Sequence, residues 1–358
     1  MPDIPSALDS LPVLGYVFQL VGYVLGNLPV IAQTTVAVAV PITLAALCGV
    51  MCERSGVVNI GLEGIMLIAA FVGWVAGVVA VGLFPAQPGP IFGLTPALLI
   101  GLAAAILAGM AVSLLHAWLA ISLRVDQIIS GTIINIGAAG LTGYFNNLIS
   151  RQSPVSAGNF SPLTIPSDVA NVPVVGWLIN ALFNQGPIGI TTIILVVVLQ
   201  IMLFRSRWGL RTRAVGEHPR AAETVGIDVI WLRYRNVVLS GALAGLGGAW
   251  LSMEQTNSFQ PNMTAGRGFI GLAAMIVGRW TPSGAFGAAL LFASATAVSS
   301  AIVIGPPSGE LGSLLGSVPG QFWDALPYLI TIIILAGLIG RSIAPAADGQ
   351  PYERESAT

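Results

Sequence analysis

Long apolar runs dominate this chain and close off most soluble folds to it. Runs at about 28–51, 57–82, 94–122, 127–149, 187–204, 236–255, 283–304 and 323–341 contain few charges. Each is long enough to cross a hydrocarbon core of ~30 Å as a helix of ~20 residues. Two more stretches are less regular. "AGRGFIGLAAMIVGR" at 265–279 is short and glycine-interrupted, which suits a broken span, and "LPVLGYVFQLVGYVLG" at 11–26 either crosses or lies in the interface. Lipid offers no partner to a backbone N–H or C=O, so such spans must be helical. The expected fold class is an all-α integral membrane protein with about ten transmembrane helices.

Composition agrees, with 55% hydrophobic residues against 8% charged, where a soluble domain carries ~25% charged. The net charge of −1 gives no reason to expect nucleic acid. Cys48 and Cys52, four apart on one span with no other cysteine in the chain, read as small packing residues rather than a disulfide framework. The start "MPDIPSALDS" has acids and no basic residue, unlike the positive start of a cleaved signal peptide. There is no lysine: all 14 basic residues are arginines. A phosphate loop of the form GxxxxGK[ST] and a Schiff-base lysine are therefore both excluded. No cofactor or metal is expected on this chain, and if ATP drives the protein, another subunit binds it. With only His116 and His218, no HExxH and no convincing Ser/His pair, an intramembrane enzyme fits poorly.

The arginines orient the chain. Arg205, Arg207, Arg211, Arg213, Arg220, Arg233 and Arg235 cluster in 205–235, which the positive-inside rule reads as cytoplasmic. Alternating outward puts Arg54, Arg124, Arg279, Arg341 and the tail 342–358 on that side as well. The loop 150–186, whose only basic residue is Arg151, then lies outside. Residues 1–27 precede a transmembrane domain of 28–341. Within the cytoplasmic segment, Pro219 can open a short helix, "RAAETVGI" continues it with good helix formers and Glu223, and Gly226 can end it.

In "ERSGVVNIGLEGIMLIAAF", Glu63 sits at the mouth of an apolar run. A carboxylate facing lipid would cost at least ~2.5–3.5 kcal/mol by insertion scales, so it must face protein, water or a helix end. Two readings stand: Glu63 begins a half-helix, 63–82, whose dipole and free N–H groups stabilise it, or Asn59 and Glu63 line a solute path. "GIMLIAAFVGW" (64–74) echoes "GFIGLAAMIVGRW" (268–280), each after a glycine-rich polar break. Paired interrupted helices in the two halves of a transporter point to its central site. Gln127 and Asn135 also place amides inside a span; Asn135 reads either as interhelix glue or as a solute contact. Glu254 is either interfacial or at an entrance, Arg267 is the one candidate intramembrane cation, and His116 and Trp118 read as packing. Gly241, Gly245 and Gly248 let helices approach closely.

"CGVMCERSGVVNIGLEGIMLIAAFVG", "VDQIISGTIINIGAAGLTG", "WGLRTRAVGEHPRAAETVGID", "SGALAGLGGAWLSM" and "TAGRGFIGLAAMIVGRW", together and in order, resemble permease subunits of bacterial ABC importers. The branch is the one carrying nucleosides and simple sugars, related to branched-chain amino acid permeases, and the resemblance runs from about 40 to 340. It implies a type II importer bundle with broken helices in the cytoplasmic (inner) membrane. It also implies a second permease, identical or not, an ATPase subunit carrying ATP and Mg, and an extracytoplasmic substrate-binding lipoprotein. By the same resemblance "AVGEHPRAAETVGID" holds the coupling helix, with Arg213, Gly216, Glu217, Arg220, Ala221, Ala222, Glu223 and Gly226 at the ATPase. It is similar to the EAA-type loop around Ala221, Ala222, Glu223 and Gly226, while the later I-x-L-P element is absent. A path of amides with few charges, near Phe145, Trp250 and Phe259, suits a neutral, hydroxyl-rich solute. The resemblance favours nucleosides over sugars, and both over branched-chain amino acids. The competing reading is a secondary transporter or channel, against which the arginine-rich docking loop counts.

Overall fold

The computed structural model describes residues 12–84, 89, 91–150, 156, 158–170, 172, 175–337 and 342–353, and every regular element among them is helical. In chain order these are α1 (Pro12–Gly26), α2 (Leu28–Glu53), α3 (Leu62–Leu83), α4 (Pro96–Ala117) and α5 (Gln127–Ser150). Next come α6 (Ser167–Ala170), α7 (Val175–Phe183), α8 (Pro187–Arg205), α9 (Arg207–Glu217) and α10 (Pro219–Thr224). The last are α11 (Val229–Ala249), α12 (Arg267–Val277), α13 (Pro282–Ile304), α14 (Glu310–Gly316) and α15 (Gly320–Gly337). Helix α4 runs on as a π turn, Trp118–Ser122, and α11 as another, Trp250–Gln255.

Among the described residues 7 helices are long and apolar enough to cross a membrane: α2, α3, α4, α5, α8, α11 and α13. The ten or so expected are not reached among the described residues, for a backbone reason at one of the remaining places. The 265–279 stretch yields only the 11 residues of α12, about 16 Å at 1.5 Å per residue, half a bilayer. Left-handed backbone confines it, with Ala265 and Gly266 at φ 46° and 79° before it and Arg279 and Trp280 at φ 54° and 51° after it. Helix α1 is likewise too short by itself. The 323–341 run corresponds to α15, and its end, including Arg341, lies outside the described residues, as does Arg151.

The chain divides into two compact units, one of Met1–Val38, Ile165–Asn184 and Leu290–Leu338, the other of Ala39–Thr164, Gln185–Ala289 and Ile339–Thr358. In the first, α1 packs on α14. The Tyr23 hydroxyl lies 2.7 Å from the carbonyls of Ala301 and Gly305, and Tyr16 donates to Glu310 at 3.2 Å. Both contacts fall at the end of α13 or beyond it.

The second unit is built on α3, α4 and α11, packed against one another in every pairing. Glycine sets their spacing. A Cβ on Gly245 would lie 2.7 Å from the Ala105 carbonyl oxygen, and one on Gly248 would lie 2.7 Å from the Ala70 nitrogen. Without a hydrophobic force between helices in lipid, this close van der Waals approach is what holds them. One end of the unit joins Arg54 to the Trp280 carbonyl (2.8 Å), Ala347 N to the Gly216 carbonyl (2.9 Å), and Arg124 to Glu353. The other end joins Ser161 N to Phe92 O (2.9 Å) and Phe160 N to Met253 O (3.0 Å). Arginines 54, 124, 213, 220 and 279 all belong to the first end, which the positive-inside rule reads as cytoplasmic. Cysteine placed at Asn159 is expected to react with an impermeant maleimide in intact cells and cysteine at Arg213 only after permeabilisation; the opposite pattern would invert the orientation.

Candidate functional site

Between α2 and α3 the chain leaves the helix at residues 54–61, with Gly56 in the left-handed region at φ 84°. Non-helical backbone at membrane depth needs protein partners for its polar groups. Helices α4 and α5 supply them. Val58 N donates to Gln127 Oε1 (2.7 Å), Asn135 Nδ2 donates to the Ile60 carbonyl (3.0 Å), and Gly64 N donates to Asn135 Oδ1 (2.7 Å). Asn59 turns back on its own loop, accepting from Gly61 N at 3.0 Å. His116 Nε2 lies 2.9 Å from the Val58 carbonyl. A carbonyl only accepts, so Nε2 carries the proton and Nδ1 accepts from the Ser130 hydroxyl at 3.0 Å. His116 is thus a brace of the break and not the packing residue expected. Its signal in the sequence was a titratable ring in an otherwise apolar run, which must find partners when fully buried.

Glu63, in the first turn of α3 and 8% exposed, reaches out of its own helix. Its Oε1 accepts from Gly266 N and its Oε2 from Gly268 N, both at 2.7 Å. Those N–H groups open α12. The carboxylate therefore sits at the positive ends of two helices at once, its own and α12, where backbone dipoles and unpaired N–H groups favour negative charge. Two charge-assisted hydrogen bonds of roughly 1.5–3 kcal/mol each can offset the ~2.5–3.5 kcal/mol cost of a charge in the bilayer. Contact is close because Gly268 has no side chain, a Cβ there falling 2.7 Å from Glu63 Cα. Gly64 likewise lets Asn135 approach, a Cβ falling 2.8 Å from its Cα. The two echoing stretches are the starts of α3 and α12, and they meet here.

Arg267, one residue beyond the Gly266 contact, donates to the Met263 carbonyl at 3.0 Å. Glu254 lies apart, at the opposite end of the unit from Arg54, and plays a similar part there. It accepts from Ile188 N (2.9 Å) and Gly189 N (3.2 Å) at the start of α8. Of the six residues expected on a path, Asn59, Glu63, Gln127 and Asn135 surround the break, Arg267 adjoins it, and Glu254 does not.

The arginine-rich segment 205–235 folds as local chemistry dictates. Ser206 caps α9 by accepting from Gly209 N (3.1 Å), Pro219 opens α10, Gly226 at φ 82° follows its end, and Asp228 caps α11 by accepting from Trp231 N (3.0 Å). Gly216 and Ala222 are buried, Ala222 in a cluster with Val215, Val229, Leu232 and Tyr352. Arg213 stacks over Phe204 at 5.1 Å, while Glu217 accepts from Ala346 N (3.1 Å) and Glu223 accepts from the Tyr352 hydroxyl. Arg220, Ala221 and Gly226 remain exposed, together with Val225 at 74%, which the sequence reading did not single out.

Residues 31–335 match the family model described as branched-chain amino acid transport system / permease component. The chain is 37% identical over 333 residues, 92% of its length and 98% of the relative's, to the nucleoside ABC transporter permease protein NupC of Lactococcus lactis. It is 40% identical over 327 residues, 91% of its length and 97% of the relative's, to the guanosine ABC transporter permease protein NupQ of Bacillus subtilis. A putative glucose ABC transporter permease protein of Haloferax volcanii, TsgC13, is 32% identical over 340 residues, 90% and 97% of the two chains. No solved structure matches.

Removing the Glu63 carboxylate tests the joint between α3 and α12. Glu63→Ala is expected to lower the melting temperature in detergent more than Glu63→Gln, which keeps one acceptor, the difference being of the order of 1.5–3 kcal/mol. Equal melting of Ala and parent would show that the bonds to 266 and 268 hold nothing.

Proposed function

This chain belongs to the permease-component family of the branched-chain amino acid transport type, and from that membership we propose that it forms the translocation path for nucleosides in an ABC importer. The observation that carries the reading is 37% and 40% identity, across nine-tenths of this chain, with permeases named for nucleoside and guanosine transport. The chain performs no chemical step. A separate subunit hydrolyses ATP, an extracytoplasmic lipoprotein delivers the solute, and a second permease, identical or not, completes the path across the cytoplasmic membrane.

A nucleoside is neutral, with many donors and acceptors and a flat apolar base, so it suits a wall of amides and carbonyls better than fixed charge. Asn59, Gln127 and Asn135 commit their amide groups to the 54–61 break, as Glu63 commits both oxygens to Gly266 and Gly268, so in this reading they hold the wall of the path in shape. In this reading Glu63 is the joint of the gate. Two half-helices meeting through a pair of hydrogen bonds can pivot where a continuous helix would have to bend. The exposed face of α10, with Arg220, Ala221 and the adjoining Val225 and Gly226, is the surface offered to the ATPase. Glu254, set at the start of α8, borders the entrance.

Reconstituted with its binding protein and ATPase, the permease is expected to drive ATP-dependent uptake of labelled guanosine or uridine that excess unlabelled nucleoside suppresses and excess glucose does not. Replacing residues 216–226 with a Gly/Ser linker is expected to abolish it. Uptake that persists without any ATPase would make the protein a secondary transporter, and suppression by glucose alone would move the substrate to sugars.

A further inference from the structure

Residues 345–353 lie across one end of the second unit and touch both the α9–α10 segment and the base of the break. On the α9 side, Ala347 N donates to the Gly216 carbonyl (2.9 Å) and Ala346 N to Glu217 Oε2 (3.1 Å). Towards α10, the Tyr352 hydroxyl donates to the Glu223 carboxylate, and its ring, 8% exposed, packs with Val215, Ala222, Val229 and Leu232. From α11, the fully buried Arg233 donates to the Gln350 carbonyl at 3.0 Å and lies 5.9 Å over the Tyr352 ring.

The other edge of the same segment faces the break. A Cβ on Gly56 would lie 3.0 Å from the Ala347 carbonyl oxygen, and one on Gly349 would lie 3.4 Å from Val58 Cγ2. Asp348 lies beside the carboxyl of Glu53, the last residue of α2, with its own Oδ1 buried and without a hydrogen-bond partner. Burial pushes the Asp348 carboxyl up to about 6, and the neighbouring Glu53 side chain, the Gly349 N–H and Arg233 draw it down only in part. Helix α9 also abuts the start of the break directly, a Cβ on Gly216 falling 2.3 Å from the Arg54 carbonyl oxygen, but its side-chain tie there is thin. Arg54 and Glu217 are 4.0 Å apart with Glu217 44% exposed, a geometry worth little at a surface.

We infer that residues 345–353 are a coupling strap, which carries displacement of α10 to the base of the 54–61 break and so to the Glu63 joint. A strap can do this because both its edges are seated on buried partners: Tyr352 is an aromatic anchor on the α10 side, while Ala347, Asp348 and Gly349 abut the break. A push on α10 must then move the 56–58 backbone or tear the Tyr352 contacts. The inference rests on the coupling reading above.

The test is made on the whole importer in proteoliposomes, with permease amount, co-purified ATPase, ATP hydrolysis and nucleoside uptake read together. Deleting residues 344–358 is expected to leave permease and bound ATPase within about twofold of the parent and to lower uptake per ATP hydrolysed about fivefold or more. Tyr352→Ala is expected to do the same and Tyr352→Phe, which keeps the ring, less; this pair decides the matter if the deletion does not accumulate. An unchanged ratio in a chain at parental level overturns the strap, and so does loss of the ATPase, which would make the tail a docking element instead. A Gly/Ser replacement of 219–224 separates the two readings. If that replacement leaves uptake intact, the coupling reading itself fails; if it abolishes uptake while the tail variants keep the parental ratio, the strap alone fails.

Discussion

Everything in the central region follows from one requirement: a chain that stops being helical inside a bilayer must find partners for the backbone groups it frees. Residues 54–61 and 265–266 are such places, and each is answered by side chains from other elements. Glu63 answers for α12, Asn135 for the start of α3, and Gln127 and His116 for Val58. The partners must be polar and buried, which accounts for most of the ionisable and amide side chains that an otherwise apolar chain retains there.

The same solution recurs at α8, where Glu254 holds the N–H groups of Ile188 and Gly189. In both places a carboxylate on one helix ends another helix far away in sequence. Such a contact fixes two elements together at a point and leaves their lengths free. A pair of interrupted helices needs that arrangement if one half is to swing against the other, since the charge stays paired through small rotations while the apolar faces slide.

At the arginine-rich end the chemistry is different, because water competes for the exposed polar groups. Exposed pairs such as Arg124 with Glu353, 48% and 69% exposed, add little. Buried apolar contact carries the load there, through Val215, Ala222, Val229, Leu232 and Tyr352. At least five of the eight residues expected to meet an ATPase are therefore engaged or buried within the chain: Gly216 and Ala222 are buried, Arg213 stacks over Phe204, and Glu217 and Glu223 bond the tail. What faces outward is a smaller surface around Arg220, Ala221, Val225 and Gly226.

The membrane class was legible in the sequence because it depends on sums, of apolar length against charge, that no long-range contact can reverse. So was the helix at 219–224: Pro219 fixes φ at its start and Gly226 supplies the left-handed residue after its end, both local effects. The break near Glu63 was legible too, from its glycines. Its partner was not, for Gly266 lies 203 positions away and nothing near either residue encodes the pairing. Hydropathy records where apolar residues lie and not where the backbone turns left-handed, as it does at Ala265 and Arg279, so the shortness of the helix between them was not legible. His116 read as filler until α5 brought Ser130 beside it. The tail read only as a segment on the arginine-rich side, since the surface that holds it is supplied by α9, α10 and α11 and exists only once those helices are assembled.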